Sequence, residues 1–235
     1  MLTERPLISV IIPVYNGAHY LAAAIESALA QTYRPLQIIV IDDGSTDESH
    51  QIAQQFTPVV QMINQSNQGV GAARNRGVAA ADGEFLAFLD ADDLWTPEKL
   101  TMQLQAFARP AAADMVFGQV ELFYSLDQAA DYELASGESG AIVNGLYAGA
   151  LLIRRATFER VGPFATHWQI GEFIDWYARA TELGLKSTVL SQVVVKRRRH
   201  AHNLTLRTRH QQVNYAQVLK AALDRRRQRA VAGER

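Results

Sequence analysis

Short apolar runs alternate with segments of helical periodicity along the first half of the chain. The runs are rich in β-branched and aromatic residues, and the segments between them carry apolar residues at three- and four-residue spacing. Such alternation favours right-handed βαβ units. It predicts a three-layer α/β/α, Rossmann-like fold with a central, mostly parallel sheet. The predicted strands are 7–14, 36–41, 59–63 and 84–89, and the predicted helices are 20–31, 46–56, 71–81 and 97–107.

The second half of the chain alternates less regularly. We predict strands at 114–124, 147–153 and 188–195, and helices at 157–161, 172–183 and 209–226. A length of 235 residues suits one main domain, which we place at 1–207, followed by a C-terminal amphipathic helix and basic tail at 208–235. The helix residues expected to pack on the domain are Val213, Ala216, Val218, Leu219 and Leu223.

The composition excludes several kinds of chemistry. The chain has no cysteine, so disulfides, thiolate metal sites and thiol nucleophiles are ruled out. No run approaches the ~18 apolar residues that a bilayer span requires, and the N-terminus has no signal-peptide pattern. We therefore expect a soluble, cytoplasmic protein that works with carboxylates, histidine, hydroxyls or a metal.

Polar clusters follow the strands at the positions where the carboxyl ends of parallel strands form binding sites. The sequence Asp-Ala-Asp-Asp at 90–93 comes directly after a buried strand. Asp90 and Asp92 can project toward one hard cation such as Mg²⁺ or Mn²⁺. The alternative is an acidic turn in which Asp93 caps the next helix.

Two further clusters have polar or glycine-rich compositions. Asp42 and Asp43 open an Asp-Asp-Gly-Ser-Thr-Asp segment, which forms either a turn with Ser45 or Thr46 as helix cap or an acceptor for a nucleoside. Arg74 lies in a glycine-containing stretch suited to an anionic or planar ligand. Neither a phosphate-binding loop nor a dinucleotide fingerprint is present, which argues against nucleoside triphosphate hydrolysis and dinucleotide redox chemistry.

The remaining candidates for a general base, a metal ligand and phosphate contacts lie in the second half of the chain. Glu172 and Asp175 share one helix face, where either can act as a general base or simply favour the helix dipole. His200 is either a surface residue or a metal ligand. The basic residues of the C-terminal part either contact phosphate or are exposed to solvent. Few aromatic residues lie between them, which argues against binding of nucleic acid. The basic residues are 196–199, Arg207, Arg209 and 225–227.

Four motifs in this order and spacing resemble the family 2 inverting glycosyltransferases of the GT-A fold. They are Val-Ile-Ile-Pro-Val-Tyr-Asn at 10–16, Ile-Asp-Asp-Gly-Ser-Thr-Asp at 41–47, Asn-Gln-Gly at 67–69 with Ala-Arg-Asn-Arg-Gly at 73–77, and Asp-Ala-Asp-Asp at 90–93. The resemblance implies transfer of a sugar from a nucleoside-diphosphate donor. It implies a nucleoside pocket lined by Pro13, Tyr15, Asp43 and Arg74, with Asp42 and Asp90 beside it, and a UDP- or dTDP-sugar as the donor.

The same resemblance implies a divalent metal, Mn²⁺ or Mg²⁺, held by Asp90 and Asp92 with His200 nearby. It assigns the general base to Glu172 or Asp175. The family commonly has an Asp where this chain has Phe173, and phenylalanine cannot accept a proton. The sequence does not distinguish among four classes of acceptor for the sugar: a polysaccharide, a lipid-linked saccharide, a protein or a small molecule. Residues 197–199 are candidates for peripheral membrane contact, and a non-catalytic nucleotide-sugar-binding protein is the alternative function.

Overall fold

The first half of the chain forms four adjacent parallel strands. In a computed structural model that describes residues 5–108, 113–124, 139–200 and 212–232, β1 lies between β2 and β4, and β3 pairs with β2. Every residue of β1 is buried, which explains its continuous apolar sequence. The strands are β1 (Ile8–Val14), β2 (Leu36–Asp42), β3 (Val60–Asn64) and β4 (Phe85–Phe88).

Four helices accompany these strands. They are α1 (Ala18–Leu29), α2 (Ser49–Gln54), α3 (Val70–Ala80) and α4 (Lys99–Phe107). Helix α3 approaches β1 so closely that a Cβ on Gly77 would overlap the side chain of Ile11. A glycine at this position therefore sets how near α3, which carries Arg74, lies to the sheet.

The second half extends the same sheet with mixed strand directions. Strand β8 is antiparallel to both β4 and β6, β9 is parallel to β6, and β5 and β7 are antiparallel to their neighbours. The strands are β5 (Leu94–Trp95), β6 (Met115–Tyr124), β7 (Ile142–Asn144), β8 (Leu152–Arg154) and β9 (Ser187–Arg199), and the helices are α5 (Arg155–Val161), α6 (Glu172–Glu182) and α7 (Gln212–Ala232). The predicted α/β fold with a central, mostly parallel sheet is confirmed.

Some element boundaries differ from the sequence predictions. The segment 147–153 is not one strand, because a 3-10 turn at Ala148–Ala150 precedes β8. Strand β9 continues to Arg199, four residues beyond the predicted end, and its last residues are basic rather than apolar. Strand β5 has no counterpart among the predicted strands, since two residues are too short to show periodicity.

Helix α7 packs on the body with only part of the predicted face, which includes Val218. Val218 and Ala222 are buried, whereas Leu219 and Leu223 are 58% and 53% exposed. Ala216 is also exposed, and the side chain of Val213 lies outside the described residues. The prediction for Ala216, Leu219 and Leu223 is therefore wrong, while the proposed division at residue 207 falls in the undescribed segment 201–211 and stays a prediction. Among the residues that the structure describes, none of the helices has the length and apolar composition needed to cross a bilayer.

Candidate functional site

The carboxyl ends of β1, β2 and β4 meet at one edge of the sheet. The backbone N–H of Asp43 donates to the carbonyl oxygen of Val14 at 2.8 Å, and that of Leu89 donates to the carbonyl of Ile11 at 3.0 Å. These bonds bring together the segments that follow the three strands. The polar clusters therefore lie side by side, as the parallel arrangement predicts.

Asp43 organises the loop that leads into α3. Its buried carboxylate accepts hydrogen bonds from the backbone N–H groups of Gln68, at 2.9 Å, and Gly69, at 2.8 Å, and from the side-chain amide of Gln65, at 2.7 Å. Gly69 has φ +87°, a conformation that favours glycine. Asp42 is also buried and accepts from the backbone N–H of Ser45 at 2.8 Å. Both acids thus shape the edge of the predicted nucleoside pocket.

The turn after β1 presents an aromatic ring to solvent. Pro13 is buried within β1, while Tyr15 is 53% exposed. The backbone N–H of Asn16 donates to the hydroxyl oxygen of Ser45 at 3.0 Å, and the side-chain oxygen of Asn16 accepts from the backbone N–H of Thr46 at 2.8 Å. The exposed ring is suited to stacking on a planar base.

Ser45 and Thr46 do not cap α2. This helix begins after Glu48 and has no side-chain cap hydrogen bond. The two hydroxyl residues instead fix the turn after β1 through Asn16. The prediction that Ser45 or Thr46 caps the helix is therefore wrong, because the hydrogen bonds of these two residues join two strand ends.

Arg74 connects two of the predicted site acids. One guanidinium nitrogen donates to Asp90 at 2.7 Å, and another donates to Glu172. Burial lowers the pKa of Arg74, but the two carboxylates outweigh this effect, so the pKa lies above its ordinary value. Glu172 is thereby held beside the end of β4, although 98 residues separate it from Arg74.

Asp92 and His200 also come together. The Nε2 atom of His200 lies 3.0 Å from Oδ2 of Asp92. The side chains of Asp90 and Asp92 keep 27% and 32% of their surface exposed, so both can be reached from the solvent. Carboxylate oxygens and an imidazole are ligands that suit Mn²⁺ or Mg²⁺.

The described residues offer only part of a metal coordination sphere. Within them, no cluster of three or more His, Asp or Glu side chains has the geometry to hold an ion. The residues present fit a cation that takes its remaining ligands from a bound diphosphate and water, as Mg²⁺ commonly does. The described residues do not form a metal site in which protein atoms supply every ligand.

Asp93 has a different role from its two neighbours. It is buried and accepts hydrogen bonds from the backbone N–H of Arg198, at 2.9 Å, and from the Tyr147 hydroxyl, at 3.1 Å. Burial raises the pKa of Asp93 well above its ordinary value, and Asp92 and Asp90 raise it further. Asp93 therefore ties the acidic turn to β9 instead of capping a helix, and the sequence pattern points to neither of its partners.

The basic end of β9 packs on aromatic rings. The guanidinium of Arg198 lies 4.4 Å from the ring centre of Tyr20 and 4.6 Å from that of Phe123, and its Nε donates to the carbonyl of Asp92 at 3.0 Å. Arg197 lies 5.1 Å from the ring centre of Tyr147. These contacts place the run beside the acidic turn. Arg207 and Arg209 lie outside the described residues.

Asp175 belongs to a second charged cluster. It is only 4% exposed, and its two oxygens accept from Arg179 Nε, at 3.0 Å, and from Arg225 Nη1, at 2.9 Å. Phe173 is buried among aromatic rings, stacked with Trp176. Of the two acids predicted as candidates for the base, only Glu172 contacts the Arg74–Asp90 pair.

Comparison with known proteins decides the family. Residues 9–160 match the sequence profile described as Glycosyl transferase family 2. The chain belongs to glycosyl transferase family 2. The matched part contains Asp43, Arg74 and the acidic turn, while Glu172 and His200 lie beyond it.

Relatives of this family 2 chain carry glycosyltransferase names. The glycosyltransferase AglE of Haloferax volcanii is 32% identical over 206 residues, which is 83% of this chain and 67% of that protein. An uncharacterized glycosyltransferase of Nostoc sp. is 51% identical over 104 residues, or 43% of this chain and 32% of the relative. One from Rickettsia typhi is 36% identical over 173 residues, or 69% and 54%. The chain thus spans between about a third and two thirds of the length of these relatives.

Solved structures with the same fold include nucleotide complexes. S. aureus TarS 1–349 in complex with UDP has a TM-score of 0.63 at 22% identity, covering 83% of this chain and 61% of TarS 1–349. The mannosyltransferase PcManGT from Pyrobaculum calidifontis, in complex with GDP-Man and Mn²⁺, has a TM-score of 0.68 at 19% identity, covering 94% and 65%. At these identities the similarity establishes the fold, and the GT-A fold expected from the motifs is confirmed.

Proposed function

We propose that this family 2 domain transfers a sugar from a nucleoside-diphosphate donor to an acceptor hydroxyl, with inversion and with the help of a divalent metal. The observation that carries the proposal is the Asp90–Arg74–Glu172 chain, in which one buried guanidinium holds a carboxylate of the acidic turn and a carboxylate of α6. Asp92 and His200 lie together next to it. Donor, metal and base candidates thus meet at one edge of the sheet.

The donor nucleoside binds along the ends of β1 and β2 in this proposal. Tyr15 offers an exposed ring to the base, and Asp42, Asp43 and Pro13 form the adjacent wall. UDP or dTDP is the proposed nucleotide, which agrees with the UDP bound by TarS, while the GDP-Man bound by PcManGT makes a guanine nucleotide the first alternative.

Asp90, Asp92 and His200 are the residues proposed to hold Mn²⁺ or Mg²⁺. The metal supplies Lewis-acid stabilisation of the departing diphosphate. Arg74 keeps the Asp90 carboxylate in place, and Asp93 holds the turn against β9 through Arg198 and against the segment before β8 through Tyr147. The chain therefore fixes its acidic turn from two sides.

Glu172 is the proposed general base. Its carboxylate accepts the proton of the acceptor hydroxyl as the hydroxyl oxygen bonds to the anomeric carbon from the face opposite the diphosphate. The bond between the anomeric carbon and the diphosphate oxygen breaks, and the configuration inverts. Asp175 is not assigned this role, since two arginines occupy its oxygens.

Calorimetric titration of nucleotides tests the donor site. UDP, dTDP and GDP are titrated into the protein with and without Mn²⁺, and the series is repeated on Asp92→Ala and on the control Asp82→Ala, an exposed acid bound to Gln37. We expect metal-enhanced binding of UDP or dTDP that the first variant loses and the control retains. Absence of binding by all three nucleotides would contradict the proposal.

Product analysis tests the reaction. The protein is incubated with donor sugars and simple acceptors, and NMR reports the anomeric configuration of any product. An α-linked donor should give a β-linked product, and an α-linked product would overturn inversion. Metal-dependent nucleotide binding with no turnover would support the non-catalytic alternative, which the phenylalanine at position 173 motivates.

A further inference from the structure

Helix α7 is joined to α6 by one arginine. Nη1 of Arg225 donates to Asp175 at 2.9 Å, and its Nε donates to Glu182 at 3.2 Å. Both acceptors are buried, and Val218 and Ala222 are buried in the same helix. Burial lowers the pKa of Arg225, but Glu182 and Asp175 outweigh it and raise the pKa above its ordinary value. The contact is a specific, charge-assisted junction.

Asp175 extends this junction to the segment before α6. Its second oxygen accepts from Arg179, and two other nitrogens of Arg179 donate to the carbonyls of Val161, at 2.8 Å, and Pro163, at 2.7 Å. The neighbouring Phe164 exchanges two backbone-to-side-chain hydrogen bonds with Asn75 of α3, at 2.8 and 2.9 Å. Helix α6 is therefore fixed at one side by α7 and at the other by α3.

Glu172 begins the helix that this junction holds. It precedes Asp175 by three residues, a rise of about 4.5 Å along a helix. Gly171, with φ +92°, turns the chain into α6 directly before Glu172. Because a helix moves nearly as a rigid body in a close-packed interior, any shift of α6 displaces Glu172 relative to Arg74 and Asp90.

We infer that α7 positions the catalytic end of α6 and that Arg225 is a positioning residue for Glu172. This inference rests on the proposed function. The three acids of α6 have separate tasks: Glu172 faces the proposed donor edge, whereas Asp175 and Glu182 anchor the helix to α7. Through Arg225, the basic C-terminal segment therefore positions a residue of the proposed active site and does not only form a solvated tail.

The test compares three variants in the full chain. Arg225→Ala removes both ion pairs, Arg225→Lys retains one cation, and Arg227→Ala is the control, since its side chain is 81% exposed and lies 3.9 Å from Asp224 on the same helix. Hydrogen–deuterium exchange reports the order of α6 and requires no activity. Steady-state kinetics reports kcat and the donor KM separately.

For Arg225→Ala we expect amides of α6 to exchange about tenfold faster, while those of β1 and α3 keep their wild-type rates. Transfer should lose about ten- to a hundredfold in kcat, because small displacements of a catalytic group are costly, with the donor KM within about twofold. Arg225→Lys should recover part of both effects, and Arg227→Ala should match the wild type.

A double-mutant cycle with Glu172→Gln adds a readout that a purely stabilising role would not move. If Arg225 acts through Glu172, its replacement should have little further effect on kcat once Glu172 is gone. Additive losses would overturn the inference, as would unchanged α6 exchange in Arg225→Ala. A wild-type protein that binds nucleotide but transfers no sugar would refute the proposed function and the catalytic part of this inference, while the exchange data would still decide whether α7 orders α6.

Discussion

The two halves of the sheet differ in how they bring site residues together. Residues 8–88 form the four parallel strands β1 to β4, so each site segment directly follows its own strand. Residues 113–200 insert β8 and β6 between β4 and β9, which brings distant segments to the same edge. Asp92 and His200 are 108 residues apart in sequence, and Arg74 and Glu172 are 98 apart. The first half places the proposed donor-binding residues locally, and the second supplies the candidates for base and metal ligand through long-range packing.

Glu172→Gln tests this division most strongly. Loss of a general base typically lowers the rate about 10²–10⁴-fold, and we expect a fall in kcat within that range. Glutamine retains a hydrogen-bond acceptor for Arg74, so nucleotide affinity should change little. Transfer kinetics and calorimetry measure the two quantities.

The matched variant for the base assignment is Asp175→Asn. It should reduce kcat far less than Glu172→Gln does, and a reversed order would reassign the base to Asp175. Equal losses in both variants would mean that the two acids act as one unit.

Asp175→Asn should have its main effect on stability. Asp175 is buried, while the side chains of Arg179 and Arg225 are 22% and 30% exposed. Removing the charge of Asp175 leaves both arginines undercompensated but partly solvated, and we expect the free energy of unfolding to fall by about 2 kcal/mol. Urea unfolding measures the change. The exposed Glu159, changed to glutamine, is the control and should alter stability by less than about 0.5 kcal/mol.

Two glycines allow the packing of the halves to be compared directly. A Cβ at Gly77 would overlap Ile11 where α3 meets β1, and one at Gly118 would overlap Val194 where β6 meets β9. Each change to alanine should destabilise the protein by about 1–3 kcal/mol through overpacking. Thermal or urea unfolding reports both, with the exposed Arg76→Ala as the control for α3. Neutral effects would show that both contacts accommodate an additional methyl group.

Lys99 gives the smallest predicted effect over one pH unit, and this effect depends on pH. Its ammonium group is buried, donates to Gln103 at 2.7 Å and lies 4.3 Å from the ring centre of Trp95, and burial places its pKa well below 10.5. Between the folded pKa and 10.5, the unfolded chain binds more protons, so this residue makes stability rise with pH.

Comparison with Lys99→Met isolates this contribution, because the other titrating groups are common to both proteins. The free energy of unfolding of the wild type should gain on the variant by up to about 1.4 kcal/mol per pH unit within that window. Below the folded pKa the full penalty of the buried charge applies and the difference is flat. Parallel pH profiles from urea unfolding would contradict the lowered pKa of Lys99.

The sequence by itself determined the half of the protein that carries the proposed donor site. Buried parallel strands require continuous apolar runs, and the residues after each run must lie at the carboxyl edge, so the order of runs and polar clusters is enough to group Asp42, Asp43, Arg74 and Asp90. The family resemblance followed from the same residues. Their placement needs only local hydrogen bonds and the direction of the strands.

Only the tertiary structure decided which later residues join that edge. Glu172 and Asp175 are indistinguishable on a helical wheel, and it is the docking of α6 between α3 and α7 that turns one toward Arg74 and the other toward Arg225. Likewise, the pairing of β9 with β6 and β5 brings His200 to Asp92. Contacts between residues about a hundred positions apart depend on how whole elements pack, and no local periodicity carries that information.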